Sequence, residues 1–285
     1  MAFGNRLIDI GGAGLEPTLG SLEGAVNQGS KNLPGHIFPN GLKGIHWSDD
    51  GTKFFMLMQR KLYFFNGSDS GILSIGDSYD AVVNITGDLN NYPIMMNSDG
   101  TIIQTTYRGS TTPRGLTYQL STPYDVSTIN SPVTSGYFPF LAGTQQSAAV
   151  GYSRDGSILA TYRQVQEGVI KKVFTISLLN EPFNLSAGWT TLYSTNDFTA
   201  DTVGTYGNKP VSIAFNNNGL IMLIMFENSG IRQYDLTTPY DINTATQTSF
   251  NLSLSVSASQ VAYSADYTKV YFSSYYSSIN QWNLV

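Results

Sequence analysis

The strongest constraint on the fold of this chain is an internal repeat. A thirteen-residue stretch that begins at Tyr118, YQLSTPYDVSTIN, returns at Tyr234 as YDLTTPYDINTAT, with seven identical positions. A shorter phrase, an aromatic residue or methionine followed by polar residues and Asp-Gly or Asn-Gly, recurs more often. It ends at Gly51, Gly100, Gly156 and Gly219, and a degenerate copy, YSADY, ends at Tyr267. The spacings of 49, 56, 63 and 48 residues indicate one supersecondary unit iterated about five times.

Each repeat has the pattern of four strands. The shorter phrase lies between two apolar runs, as in VSIAFNNNGLIMLIMFE, and Asp-Gly or Asn-Gly favours the tight turn of a hairpin because that turn needs positive φ. The predicted blade turns contain Asp50, Gly51, Asp99, Gly100, Asp155, Gly156, Asn218 and Gly219. Two further strands follow each hairpin, and the 18 Tyr and 15 Phe suit pleated sheets. We therefore predict an all-β fold, a β-propeller of about five four-stranded blades.

The longer phrase is interpreted as the connector between the third and fourth strands of a blade. Its residues are Pro123, Tyr124 and Asp125 in one copy, Pro239, Tyr240 and Asp241 in another, and Pro182, Phe183 and Asn184 in a worn copy between them. Proline ends the third strand because it cannot donate a hydrogen bond to the sheet. The Asp side chain is expected to cap a single helical turn, and the aromatic ring to cover the blade edge. Repetition of structural residues explains the duplication better than a duplicated catalytic phrase does.

The last copy ends after its third strand, so the fifth blade needs an outer strand from elsewhere. Counting back from Trp47 by the distance found in the fourth copy gives Leu33–Phe38, and we predict that this stretch closes the ring. The propeller then comprises residues 33–285, and residues 1–32 form an extended, glycine-rich arm. We expect the arm to dock on a neighbouring protein or on another copy of the chain by adding a strand to a sheet edge, and a disordered tail is the alternative.

Composition argues against several functional classes. Lys and Arg total 15 against 20 Asp and Glu, the net charge is −5, and the chain has no basic cluster, so nucleic acid is not an expected partner. The absence of Cys removes disulfides, thiolate nucleophiles and Cys-type zinc sites. No apolar run approaches the ~20 residues of a membrane helix, and the first residues lack the pattern of a secretory signal. A membrane is therefore not an expected partner either.

Motifs for catalysis or cofactor binding are also missing. The two histidines, His36 and His46, stand in neither an H-E-x-x-H nor another metal-binding pattern, and no G-x-S-x-G nucleophile is present. The aspartates of the blade turns could line a channel and bind calcium. The simpler interpretation is that each serves its own hairpin, because Asn218 takes the same place in the fourth copy. We predict no catalytic residue, no cofactor and no metal.

The turn WSDDGTKFFML and the connectors YQLSTPYDVSTIN and IRQYDLTTPYDINTAT resemble the repeats of β-propeller proteins common in tailed bacteriophages and marine bacteria. Units of that family pair an S-x-D-G-T-K turn with a Y-x-L-S-T-P-[YW]-D connector. The third copy departs from it with NEPFNLS, and the first copy has lost the connector and reads GSDSGILS. The resemblance implies a virion component, assembled in the host cytoplasm and carried on the tail or the capsid surface.

We therefore expect a non-enzymatic structural protein of a phage virion that presents the propeller for protein–protein contacts. Its expected partners are other virion proteins, reached through residues 1–32, with self-association and a host surface glycan as further possibilities. Two alternatives stay open. A carbohydrate-binding module is favoured by the many tyrosines, and a polysaccharide-active enzyme would need two close acids in a cleft.

Overall fold

Five antiparallel sheets, each of four strands, form the described part of the protein. The computed structural model describes residues 20–32, 42–49, 51–58, 60–67, 79–85, 92–108, 113–131, 134–138, 145–167, 169–196, 210–227, 229–252, 258–274 and 278–284. In chain order the strands are β1 Val26–Asn32, β2 Gly44–Trp47, β3 Lys53–Met58, β4 Lys61–Asn66, β5 Ala81–Asn84, β6 Tyr92–Met96, β7 Ile102–Arg108, β8 Pro113–Gln119, β9 Thr134–Tyr137, β10 Gln145–Tyr152, β11 Ile158–Glu167, β12 Val169–Leu179, β13 Trp189–Asn196, β14 Pro210–Phe215, β15 Ile221–Phe226, β16 Gly230–Asp235, β17 Thr246–Leu252, β18 Ala258–Tyr263, β19 Lys269–Ser274 and β20 Ser278–Asn283.

The sheets are the blades of a closed ring. In the first four blades the strands run outward from the axis in chain order, β2 to β5, β6 to β9, β10 to β13 and β14 to β17. The fifth blade has the order β18, β19, β20, β1. The first strand of every blade contacts the first strand of both neighbouring blades, including β18 against β2. The predicted all-β propeller with five four-stranded blades is therefore confirmed.

The core lies between the blades rather than at the axis. Buried hydrophobic side chains of the described residues form five clusters, one between each pair of neighbouring blades. Strand β15 shows the reason for its unbroken apolar sequence. All six of its residues are buried, and Met222, Ile224 and Phe226 face the third blade while the residues between them face the fifth. A strand buried on both faces needs apolar residues at every position.

The strand that closes the ring is β1, not the predicted stretch Leu33–Phe38. Strand β1 pairs antiparallel with β20, with Val26 opposite Asn283 and Asn32 opposite Ser278. The backward count failed because it assumed a short link to the next inner strand. In chain order β18 begins six positions after the end of β17, whereas β2 begins twelve positions after the end of β1. Residues 33–41 themselves lie outside the described part of the chain, as do residues 1–19 of the predicted arm.

Helical structure in the described residues is limited to three single turns of 3-10 helix, Val126–Thr128, Leu185–Ala187 and Ile242–Thr244. Each follows the third strand of its blade. Within the same part of the chain, no helix is long and apolar enough to cross a bilayer.

Candidate functional site at the turn face

The turns between the first and second strands of the five blades lie at one end of the ring, which we name the turn face. The side chains of these turns bind their own backbone. Asp99 accepts a hydrogen bond from the Thr101 N–H at 2.9 Å, and Asp155, Asn218 and Asp266 accept the equivalent bond at 3.0 Å in their blades. Asp50 lies outside the described residues, and Gly51, Gly100, Gly156 and Gly219 all have positive φ. Each described aspartate therefore has a role in its own turn.

The hydrogen bonds of the third-blade turn stabilise the ionised form of the Asp155 carboxylate. Burial opposes ionisation, but hydrogen bonds from Ser153 and Ser157 outweigh it and lower the pKa of Asp155. No group of three or more acidic or histidine side chains is placed to hold a metal ion among the residues that the structure describes. Calcium is not needed to explain the aspartates of the turns.

The three connectors fold alike. The side chains of Asp125, Asn184 and Asp241 each accept a hydrogen bond at 3.0 Å from the backbone N–H two residues on, which caps the single 3-10 turn. The residue that follows each cap is buried between its own blade and the preceding one. These residues are Val126, Leu185 and Ile242. Each connector therefore contributes a buried side chain to the hydrophobic cluster between its own blade and the preceding one.

The aromatic residue of each connector has an unusual backbone conformation. Pro123, Pro182 and Pro239 are each followed by an aromatic residue with positive φ, which is 60° at Tyr124, 57° at Phe183 and 58° at Tyr240. Proline followed by positive φ is the arrangement of a type II turn, whose third position normally takes glycine. The strain is balanced by contacts with the blade turn. The Tyr240 N–H donates to the Gly219 carbonyl at 3.0 Å, and its ring lies over the Gly219 Cα.

Replacing Gly219 with alanine is expected to destabilise the protein by about 3 kcal/mol. A Cβ there would lie 2.5 Å from the Tyr240 ring at a φ of +70°, so both left-handed strain, about 1–2 kcal/mol, and displacement of a packed ring contribute. Gly29→Ala is the matched control, because Gly29 has φ +103° and nothing within 4 Å of a Cβ. Urea unfolding of both variants is the measurement, and unchanged stability in Gly219→Ala would contradict both the strain and the ring contact.

The fifth blade takes its connector from the N-terminal side of the ring. Ser21 Oγ accepts from the Glu23 N–H at 3.1 Å, and the Ala25 N–H donates to the Leu22 carbonyl at 3.1 Å. These are the cap and turn bonds of the other connectors. Leu22 is 0% exposed in the cluster between the fourth and fifth blades, the position that Ile242 occupies one blade earlier. Residues 20–25 therefore act as the missing connector and lead directly into β1.

Glycine and aromatic residue exchange places in this fifth blade. Tyr267 stands where other turns have glycine and has φ 58°, whereas Gly20 has φ +100° where other connectors have Tyr or Phe. The Tyr263 hydroxyl donates to the Gly20 carbonyl at 2.8 Å and ties the segment to the turn face. The exchange explains why the YSADY turn lacks its glycine.

Gln260 closes the axis of the ring. Its side chain is 2% exposed, and its Oε1 accepts from the Ile45 N–H at 2.7 Å and from the Ile94 N–H at 3.2 Å. Its Nε2 donates to the Ile94 carbonyl at 3.0 Å. One side chain of the fifth blade therefore satisfies backbone groups on the inner strands of the first and second blades.

Arg154 spans the axis at the turn face. Its Nε donates to Asp49 of the first blade at 2.8 Å, one of its terminal nitrogens donates to the Ala265 carbonyl of the fifth blade at 3.1 Å, and the guanidinium lies 5.6 Å from the centre of the Tyr267 ring. The Arg154 side chain is 40% exposed, so solvent weakens the ion pair and its contribution to stability is small. It nevertheless covers a central pocket lined by all five blades, with a volume of about 90 Å³.

His46 lines this central pocket and is held in its neutral form. Burial, with a smaller contribution from the Arg154 cation, lowers its pKa to about 4, although Asp49 acts in the opposite direction. A folded-state pKa below the ordinary value of 6.5 means that acid stabilises the unfolded chain more than the folded one. The stabilisation is complete above about pH 6.5 and is lost as the pH falls toward 4.

Folding stability is accordingly expected to fall by about 2 kcal/mol through His46 alone between pH 7 and pH 4.5. The carboxylates also titrate in this range, so the wild type is compared with His46→Gln by urea unfolding at both pH values. The variant should lose about 2 kcal/mol less than the wild type. Parallel pH profiles would contradict a buried, neutral His46.

A larger groove lies at the turn face between the third and fourth blades, with a volume of about 900 Å³. It is lined by the third-blade turn, Leu178 to Asn180, Leu192, Tyr193, Ser98, Asn217, Pro239 and Tyr240. The Tyr240 ring is fixed in place by an edge contact with Phe215, with ring centres 5.0 Å apart. Burial and the nearby Asp155 carboxylate raise the pKa of Tyr240, so its hydroxyl is protonated at neutral pH.

Sequence reasoning predicted roles for the turns and connectors but not for the residues that surround them. Arg154, Gln260 and the groove result from contacts between repeats. The signal for Arg154 was available at the third position of the turn phrase, where Asp49 in one copy faces a cation in another. Gln260 carries no such signal, since a polar residue in an inner strand is ordinary.

Two comparisons with known proteins found no relative of this chain. No protein-family model matches the sequence, and no curated protein matches it significantly.

Proposed function

We propose that this protein is a non-enzymatic structural component of a tailed-phage virion, located on the tail or the capsid surface, which presents its ring to other virion proteins. The phage setting is supported by the resemblance of the turn and connector phrases. The repeated residues have structural tasks in capping turns and joining blades, which supports a scaffold role.

The observation that carries the proposal is the placement of exposed apolar side chains. Among the described residues, the large hydrophobic side chains with the highest exposure are Val26, Tyr79, Val82 and Leu192, at 38–56%. Each lies on, or two residues before, the outer strand of a blade, which is β1, β5 or β13. Outer strands also have a free hydrogen-bonding edge. The rim of the ring thus combines exposed apolar side chains with strand edges, and the proposal of protein–protein contacts rests on this combination.

Fractionation of particles tests the virion assignment. An antibody raised against the recombinant protein is used to probe a density gradient of a lysate from the source culture. The signal is expected in the fractions that contain DNA-filled particles, and it should stay there after a wash in high salt. A signal confined to the free-protein fractions would overturn the proposal.

A further inference from the structure

We propose that the groove between the third and fourth blades binds a neutral pyranose sugar, a site that goes beyond the structural role. Its volume of about 900 Å³ is in the range of small-molecule sites, roughly 300–1,000 Å³, whereas the axial pocket holds only about 90 Å³. The choice of this groove rests on how the fourth blade departs from the other repeats.

Tyr240 differs from its counterparts in the other two connectors. The Tyr124 hydroxyl donates to the Ser98 carbonyl of its own blade, and the Lys53 ammonium lies 5.8 Å from the Tyr124 ring. Phe183 has no hydroxyl and is 2% exposed. Tyr240 is half-buried, and its hydroxyl makes no hydrogen bond to another described residue. The fourth connector therefore presents a fixed ring with a hydroxyl available to a ligand.

The other lining groups match the chemistry of a sugar. Tyr193 and Leu192 supply apolar surface from the third blade, against which the C–H face of a pyranose can pack. Polar groups come from Asp155, Asn180 and Asn217, which offer carboxylate and amide oxygens to sugar hydroxyls. A mostly apolar floor with a few convergent polar groups is typical of a small-ligand site.

Charge selects a neutral sugar. The Asp155 carboxylate lines the groove and repels acidic sugars, and the nearby Arg154 guanidinium is paired with Asp49 at 2.8 Å. The protein as a whole carries a net charge of −5. Among the described lining residues Asp155 is the single acid, whereas glycoside hydrolysis generally uses two. The groove therefore binds a sugar without cleaving it.

A glycan array with neutral and sialylated structures provides the first test, followed by calorimetry with the best neutral glycan. We expect neutral glycans to bind, and Tyr240→Phe to weaken that binding at least tenfold. Tyr79→Phe is the control, because Tyr79 is exposed on the first blade and does not line the groove, and it should bind as the wild type does. Asn217→Ala, an exposed residue of the groove, provides a second variant and should also weaken binding at least tenfold.

Melting temperatures of all variants are measured in parallel, so that loss of binding is not loss of fold. Three outcomes would overturn the proposal: no neutral glycan binds, only acidic glycans bind, or Tyr240→Phe and Tyr79→Phe bind equally. None of these outcomes bears on incorporation into particles, which is measured separately.

Discussion

Removal of residues 1–32 is expected to abolish cooperative folding, whereas removal of residues 1–19 should leave the melting transition in place. The longer deletion removes β1, which pairs along the whole of β20, and Leu22, which is fully buried between the fourth and fifth blades. Loss of a buried leucine side chain alone costs about 2–5 kcal/mol, and total stability is typically about 5–15 kcal/mol. The shorter deletion keeps every one of these contacts.

Circular dichroism and urea unfolding of the two truncated proteins provide the measurement. A synthetic peptide of residues 20–32 is the sharper control, because it should restore the transition of the longer deletion when added in excess. Leu22→Ala in the full chain should lower stability by about 2–5 kcal/mol without loss of cooperativity. If the protein that begins at residue 33 melted as the wild type does, the closure of the ring by β1 would be wrong.

Gln260→Met is expected to destabilise the protein by about 3 kcal/mol or more. Methionine keeps the size of the side chain but leaves the N–H groups of Ile45 and Ile94 and the Ile94 carbonyl without their partner. A buried polar group that loses its hydrogen bond costs about 1–3 kcal/mol.

The matched control for this variant is Gln28→Met, because Gln28 is exposed on β1. It should change the free energy of unfolding by less than about 0.5 kcal/mol. Urea unfolding at pH 7 compares the two. Similar small losses in both would show that Gln260 does not hold the inner strands together.

The repeats allowed the blade count to be predicted, because the glycine turns and the Pro-Tyr-Asp connectors are read from adjacent residues. The sequence analysis did not recognise residues 20–25 as the connector of the fifth blade, although they cap a turn and bury an aliphatic side chain as the other connectors do. The Ser21 side chain caps its turn in the same way as the Asp241 side chain, and Leu22 is buried like Ile242. The two segments nevertheless have almost no identical residues. Serine and aspartate are equally good caps, so the equivalence is one of chemistry and not of identity. A cap residue followed by an aliphatic one also occurs elsewhere in this sequence, as at Asn32-Leu33 and Asn84-Ile85, so that pattern alone does not single out Ser21-Leu22.

The groove between the third and fourth blades could not be predicted from the sequence for a different reason. The groove joins Tyr193 of the third blade to Tyr240 of the fourth, and no local pattern places two strands of different blades side by side. Likewise, the partners Asp49 and Arg154 are 105 positions apart. The sequence shows which residues differ between the repeats. Which of those residues come into contact depends on how the blades pack in the ring.

The pairing of β1 with β20 sets the order in which the ring can be completed during synthesis. Between Asn32 and Asn283 the ribosome adds 251 residues, which takes roughly 13–50 s at about 5–20 residues per second. For that time β1 has no sheet to join, and an unpaired apolar strand would invite aggregation. Its sequence, VNQGSKN, is polar, carries Lys31 and bends at a bulge between Asn27 and Gly29. Such features protect strand edges from non-native pairing. In this protein they limit aggregation through unpaired β1 until β20 has been synthesised.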